Sequence, residues 1–99
     1  MILGKVIGTI WSTRKDENLV GAKFLIVGQL DLDYKPKDNT VIAVDSVGAG
    51  VGEVVLVAQG SSARQTAFTK NKPIDAVIMA IVDKLDINVK ENLKELVEV

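Results

Sequence analysis

The 99-residue sequence contains no histidine and no cysteine, and its aromatic residues are one tryptophan, one tyrosine and two phenylalanines. Without histidine or cysteine the chain has no Ser-His-Asp or Cys-His nucleophile system, no thiolate chemistry and no zinc site of the usual nitrogen or sulfur type. A disulfide framework is also excluded, which is compatible with a reducing compartment. We predict no catalytic residues, no metal site and no cofactor.

An excess of either charge is lacking as well. The chain carries 12 basic and 13 acidic residues, a net charge of −1, and each half is nearly neutral. Because nucleic-acid phosphates require a basic surface, this balance argues against a nucleic-acid partner. Trp11 and Tyr34 are candidates for stacking on a base or sugar, but single-strand binders interleave several aromatic and basic residues.

Long hydrophobic runs are absent. No apolar stretch approaches the roughly 20 residues of a membrane helix, and the start of the chain meets a charge at Lys5, too early for the apolar core of a signal peptide. We therefore expect a soluble, cytoplasmic protein with no membrane partner. A chain of this length forms one domain that is only marginally stable alone, so oligomerisation would be a natural supplement.

Most of the chain reads as short strands. Alternation or continuous apolar runs predict five of them, over residues 2–11, 23–30, 40–47, 53–59 and 74–83. In the first, Ile2, Val6 and Ile10 share a face with Gly4 and Gly8, and the glycines are expected at bends or close backbone approaches. The last run is almost wholly apolar, as expected for a strand buried on both faces.

Polar segments separate these strands. Residues 12–22 read as a polar loop, and residues 31–39 as a charged turn region punctuated by Pro36. A short helical turn is predicted near residues 61–66, capped by a serine. Asn88 is expected to cap a short C-terminal helix whose apolar side must dock on something. These elements predict a small antiparallel barrel of mainly β class.

The densest local feature is the glycine link, residues 47–53 (VGAGVGE). Glycine-rich loops can cradle phosphate, but nucleotide-binding versions lead into a helix and have a different glycine spacing or a terminal lysine. Here a strand follows and the link has no lysine. The favoured interpretation is a tight strand-to-strand link with glycines at positive φ. Because it is almost free of side chains, copies of it can approach closely around an axis.

Two carboxylates, Asp45 and Glu53, bracket this link, and Asp31, Asp33, Asp75 and Asp83 lie elsewhere. Paired carboxylates can perform acid–base chemistry or hold a hard cation. At strand ends they more often accept hydrogen bonds from turn amides, and we favour that interpretation here.

Ser61, Ser62 and Arg64 place two hydroxyls and a guanidinium within four residues. They are a candidate anion site, and a serine paired with a distant lysine is a candidate nucleophile system that needs no histidine. The favoured interpretation is structural: a serine caps the turn, and Arg64 makes a salt bridge within the subunit or across an interface.

Several blocks of the sequence occur in an order that resembles the vertex proteins of bacterial microcompartment shells, the EutN/CcmL family. The blocks are residues 4–13 (GKVIGTIWST), 19–27 (LVGAKFLIV), 43–57 (AVDSVGAGVGEVVLV), 60–64 (GSSAR) and 73–83 (PIDAVIMAIVD). The most specific part is the glycine link with its flanks, followed closely by GSSAR. The resemblance covers residues 1–83 and leaves residues 84–99 as a tail.

The resemblance implies a five-stranded, OB-like barrel in residues 1–83 that has no enzymatic activity and assembles into pentamers. Such pentamers occupy the five-fold vertices of a polyhedral shell, beside hexameric shell proteins that alone would form flat layers. The resemblance does not assign contacts, and on this model we predict two candidate regions. The ring-axis loop is Gly48, Ala49, Gly50, Val51 and Gly52, and the subunit interface includes Glu53, Ser61, Ser62 and Arg64.

Two other classes of function stay open at this point. An OB-like nucleic-acid-binding module would share the architecture, since fold does not determine function. A small enzyme using carboxylates or a Ser-Lys pair is the other, although no substrate-shaped group of residues supports it.

Overall fold

The computed structural model describes residues 1–86; residues 87–99, which include the predicted C-terminal helix, lie outside the described part. The elements are β1 (Ile2–Ile10), a first 3-10 helix (Glu17–Leu19), β2 (Phe24–Leu30), β3 (Pro36–Asp45), β4 (Val54–Gln59), a second 3-10 helix (Gly60–Arg64) and β5 (Ala76–Ile81). Within residues 1–86, neither helix has the length or apolar character needed to span a bilayer.

The five strands form a closed barrel in the order β1-β2-β3-β5-β4, and β4 pairs with β1 to close it. The predicted five-stranded barrel is therefore confirmed. One detail of the prediction is wrong, because β3 and β5 run parallel at the pairs Val44↔Val77 and Asp45↔Ile78. A closed ring with an odd number of strands cannot alternate direction at every pair, so at least one pair must be parallel.

The barrel interior is filled by small and branched side chains. This inner cluster consists of Val6, Leu25, Val27, Ala43, Ala49, Val55, Val57, Ala76 and Ile78. These strand residues recur at every second position, as in Leu25 and Val27 of β2, because alternate side chains of a strand share a face. Burial of these side chains supplies the main stabilisation of the barrel.

A second cluster lies on the outside of the barrel, beneath the segment that leads from β4 to β5. This outer cluster consists of Ala22, Val44, Ala58, Ala63, Ile74 and Val77. In β5, Val77 belongs to the outer cluster while its neighbours Ala76 and Ile78 belong to the inner one. The prediction that this strand is buried on both faces is confirmed at these three positions, and Met79 beyond them is exposed.

The predicted alternation of β1 fails beyond Val6. The register with β2 shifts between Val6 and Gly8, so that Ile7 is an extra residue without a partner and its side chain is exposed. A bulge of this kind reverses the faces that follow it. For this reason Ile10 does not continue the fully buried row that Val6 belongs to.

The third strand begins at Pro36, four residues before its predicted start. Residues 31–39 therefore form a turn only in their first half, where Asp31 Oδ1 accepts hydrogen bonds from the amides of Asp33 and Lys35 at 2.8 and 3.0 Å. Proline has no amide to donate to a neighbouring strand, and the first residue of a strand is a position where this loss is tolerated. The sequence pattern did not reveal this part of the strand, because its charged and polar residues are all exposed and therefore resemble a loop.

Gly4 is required by close packing and gives a direct test of the barrel. A Cβ at this position would collide with the Val27 side chain and lie 3.0 Å from the Gly28 carbonyl oxygen. We expect Gly4→Ala to lower the free energy of unfolding by about 1–3 kcal/mol, the usual cost of overpacking. Urea unfolding at a fixed protein concentration measures it.

Gly8→Ala is the matched control in the same strand. There the nearest atom to a new Cβ is Ile26 Cδ1 at 3.4 Å, an ordinary contact. We expect a change within about 0.5 kcal/mol. If the two variants unfolded at the same urea concentration, the close approach at Gly4 would be refuted.

Candidate functional site

The glycine link is held by the carboxylates that flank it. Asp45 Oδ1 accepts hydrogen bonds from the amides of Val47 and Ala49, both at 3.1 Å. Glu53 Oε1 accepts one from the Gly50 amide at 2.7 Å. The interpretation that these strand-end carboxylates bind turn amides is confirmed, and within residues 1–86 no three acidic side chains gather to hold a metal ion.

Two glycines of the link adopt positive φ, Gly48 at 76° and Gly52 at 95°. A Cβ at either position would meet nothing within 4 Å, so glycine is needed there for its backbone conformation and not for lack of space. The predicted tight link is confirmed. It does not offer a phosphate cradle, because the amides of Val47, Ala49 and Gly50 already donate hydrogen bonds to carboxylates.

Main-chain and hydroxyl hydrogen bonds tie the link to the barrel. The Gly52 amide donates to the Val6 carbonyl at 2.8 Å, and the Val6 amide donates to the Glu53 carbonyl at 2.9 Å. Ser46 Oγ donates to the Ile78 carbonyl at 2.6 Å. The link thus has bonds to β1, and Ser46, directly before it, has a bond to β5.

Side chains of the link divide into an inner and an outer group. Ala49 is 1% exposed and belongs to the inner cluster, and Lys23 Nζ donates to its carbonyl at 3.4 Å. Val47 and Val51 are 39% and 63% exposed. Of the residues predicted to line the ring axis, Ala49 is therefore part of the barrel core, whereas Val51 is exposed and the adjacent Gly50 is half-buried.

The predicted helical turn near residues 61–66 exists as the second 3-10 helix, but the serine cap is wrong. Gln59 precedes the helix and makes no side-chain capping bond. The chain enters through Gly60 at a φ of 65°, and the Gly60 amide donates to the Asp75 carbonyl at 2.8 Å. A main-chain acceptor therefore takes the place of the expected hydroxyl.

Ala63 anchors this helix. It is fully buried in the outer cluster, whereas Ser61, Ser62 and Arg64 are exposed. Arg64 Nη1 donates to the Ile74 carbonyl at 3.2 Å. Among residues 1–86 no carboxylate forms a salt bridge with Arg64, so the subunit's described part does not supply the ion pair that was predicted.

A polar cavity of about 450 Å³ opens beside this helix. It is lined by Ser61, Arg64, Gln65, Lys70 and Asn71. We call this group of residues the basic pocket. Sequence reasoning found Ser61 and Arg64 but missed the other three, although one signal was available: residues 54–74 contain three cations and no acid.

The two predicted parts of the subunit interface do not form one patch on the subunit. Glu53 immediately precedes β4, while Ser61, Ser62 and Arg64 follow its last residue. A strand of six residues separates them by about 20 Å at the usual rise per residue. A contact that uses both parts must therefore use two separate surfaces of one subunit.

The two aromatic residues considered for base stacking also lie apart. Trp11 follows the last residue of β1 and is 89% exposed, whereas Tyr34 lies in the turn between β2 and β3. Since β1 and β2 are antiparallel, the start of β2 adjoins the end of β1, and the turn after β2 is at the opposite end. The two rings do not form a stacking platform.

A family model described as "Ethanolamine utilisation protein EutN/carboxysome" matches residues 1–83. Among curated proteins, the chain is 49% identical over 86 residues to the bacterial microcompartment shell vertex protein GrpN of Rhodospirillum rubrum. This alignment covers 87% of the chain and 97% of GrpN. The match therefore includes every strand of the barrel and both segments of the candidate site.

Solved structures agree with this comparison. The GrpN pentameric microcompartment shell protein from Rhodospirillum rubrum superimposes with a TM-score of 0.81 at 48% identity, covering 89% of this chain and all of that one. The Gloeobacter violaceus CcmL structure superimposes with a TM-score of 0.84 at 40% identity, covering 89% and 91%.

Removal of the Asp45 carboxylate tests its hold on the glycine link. We expect Asp45→Ala to lower the free energy of unfolding by about 1–3 kcal/mol, because two amides lose a charged acceptor. Hydrogen exchange of the Ala49 amide is expected to accelerate at the same time. Asp33→Ala is the control, since the Asp33 amide rather than its carboxylate takes part in the β2–β3 turn. Equal stability of the two variants would contradict this role.

Proposed function

This chain belongs to the ethanolamine utilisation protein EutN/carboxysome family, and we propose that it is a structural shell protein of a bacterial microcompartment that forms pentamers at the five-fold vertices of the shell. The observation that carries this function is the family match over residues 1–83 together with the barrel shared with a pentameric relative. The nucleic-acid alternative receives no support from these relatives, and the separated Trp11 and Tyr34 do not favour it.

The proposed role is assembly rather than catalysis, in the cytoplasm and within the shell itself. Flat layers of hexagonal units cannot close into a polyhedron without five-fold units at the corners, so hexameric shell proteins are the proposed partners. The absence of histidine and cysteine fits a protein that acts through shape and self-association. We propose that it has no enzymatic activity and needs no cofactor.

The glycine link is the proposed ring-axis element. Its main chain is held by Asp45 and Glu53, so it keeps one conformation without help from a neighbour. Gly50 presents no side chain, and the exposed Val51 beside it would gain from burial against another copy. A fixed, nearly side-chain-free surface is suited to the narrow centre of a ring.

Two separate surfaces suit a cyclic ring. Such a ring repeats one head-to-tail contact, so each subunit presents two different patches that match each other. Glu53 at the start of β4 and the Ser61, Ser62 and Arg64 group at its end are the proposed residues of these patches. Exposed apolar side chains on the barrel, such as Ile42, add area that would be covered on assembly.

Solution mass tests the proposed function. Light scattering of the full chain at micromolar concentration is expected to give five times the 10.6 kDa chain mass. Mixing with hexameric shell proteins is expected to yield closed particles rather than flat sheets. A strict monomer over this concentration range would contradict the vertex role.

Substitution at Gly50 tests the ring-axis element. Gly50 does not need a positive φ, and the nearest atom to a new Cβ is Glu53 Oε1 at 3.4 Å. We therefore expect Gly50→Trp to fold as a barrel, by circular dichroism, but to lose the pentamer because five indole rings cannot share a narrow axis. Gly50→Ala is the control and is expected to remain pentameric. A stable Gly50→Trp pentamer that still closes shells would refute close approach at this position.

A further inference from the structure

Positive charge is concentrated in one part of this nearly neutral chain. Residues 54–74 contain Arg64, Lys70 and Lys72 and no acidic residue, while the whole chain has a net charge of −1. This stretch folds into β4, the second 3-10 helix and the turns that lead to β5. Two of its three cations line the basic pocket.

One hydrogen bond orients Arg64 in the pocket and leaves its other donor groups available. Its Nη1 donates to the Ile74 carbonyl at 3.2 Å, which fixes one nitrogen of the planar guanidinium against the protein. A guanidinium carries five N–H donors, so others stay available to a ligand. No carboxylate is among the residues that line the cavity, and Asp75, the next acid along the chain, lines a different cleft.

Lys70 and Asn71, which also line the pocket, lie on a hydrogen-bonded turn. The Lys70 amide donates to the Thr66 carbonyl at 3.0 Å, and the Lys72 amide donates to the Thr69 carbonyl at 3.0 Å. Thr69 is fully buried, and its hydroxyl is hydrogen-bonded to that of Thr66. The backbone that bears the two pocket residues is therefore fixed by the fold.

The third cation is held apart from the pocket. Lys72 Nζ lies 3.7 Å from the centre of the Phe68 ring, a cation–π contact. It raises the local positive potential without lining the cavity. The residues that line the pocket are thus two cations, one serine and two residues with side-chain amides, Gln65 and Asn71.

We propose that the basic pocket is a binding site for an oxyanion, a carboxylate or a phosphate group. Arginine and lysine donate charge-assisted hydrogen bonds to such groups, and a hydroxyl and amides can complete their coordination. The oxyanion has two sources: a free anion in solution, or a carboxylate side chain of a neighbouring copy. The second source rests on the proposed pentamer, whereas the first does not.

Titration of orthophosphate into the assembled full-length protein tests the site. Isothermal titration calorimetry at constant ionic strength, with chloride as the competing anion, measures the affinity, and NMR of the Arg64 side chain reports the location. We expect saturable binding of one orthophosphate per subunit. Arg64→Gln and Lys70→Gln are each expected to weaken it by about tenfold, the value of one charge-assisted hydrogen bond.

Lys35→Gln is the matched control, because Lys35 contacts the rest of residues 1–86 through its main-chain amide and carbonyl. It removes the same charge and is expected to leave binding unchanged. Arg64→Gln also loses the bond to Ile74, so circular dichroism checks that it folds. Lys70→Gln keeps the test valid if Arg64→Gln does not fold.

A neighbour's carboxylate as the source gives a different result. Orthophosphate would then not bind to the pentamer. The average mass measured by light scattering would fall below that of the pentamer with added sodium chloride and in both pocket variants, but not in Lys35→Gln. The proposal would be overturned if orthophosphate did not bind and assembly did not depend on charge. It would also be overturned if Arg64→Gln, Lys70→Gln and Lys35→Gln all had the same effect. A monomeric wild-type protein that binds orthophosphate would refute the pentamer and leave the oxyanion site supported.

Discussion

Closure of the barrel is the constraint on which the rest of the structure depends. Pairing of β4 with β1 satisfies both strands and leaves β5 to fill the space between β4 and β3. Since the number of strands is odd, at least one neighbouring pair of strands must be parallel. Here β3 and β5 are parallel, and they are paired at only two positions. The two strands do not pair with each other beyond this short contact. The weakest seam of the barrel therefore lies between β3 and β5.

The outer cluster and the basic pocket are consequences of how that seam is covered. The chain from β4 to β5 crosses the outside of the barrel, where Ala63 and Ile74 pack against Val77. Because their apolar side chains face inward, the polar residues of the same segment face outward, and the turn around Thr69 brings Lys70 to the cavity that Arg64 also lines. A segment that covers the core thus creates a surface of concentrated positive charge.

The sequence predicted most of the fold but less of the site, for physical reasons. Alternation and apolar runs locate strands wherever one face is buried, but an exposed strand such as the start of β3 has no such pattern, and the bulge at Ile7 breaks the pattern of β1. The link carboxylates were predictable because Asp45 and Glu53 bind amides close to them in sequence. Lys70 and Asn71 were missed because only the turn around Thr69 brings them to Arg64.

Closure also limits how copies of this barrel can associate. The β2–β1–β4–β5 pairings leave few unpaired strand edges, and β3 pairs with β5 only at Val44 and Asp45. The rest of that edge begins with Pro36, Lys37 and Asp38, and proline and charged residues disfavour the addition of another strand. Association through side chains and links is therefore favoured over strand addition. The carboxylate-braced glycine link and the basic pocket provide rigid surfaces of this kind at opposite ends of β4.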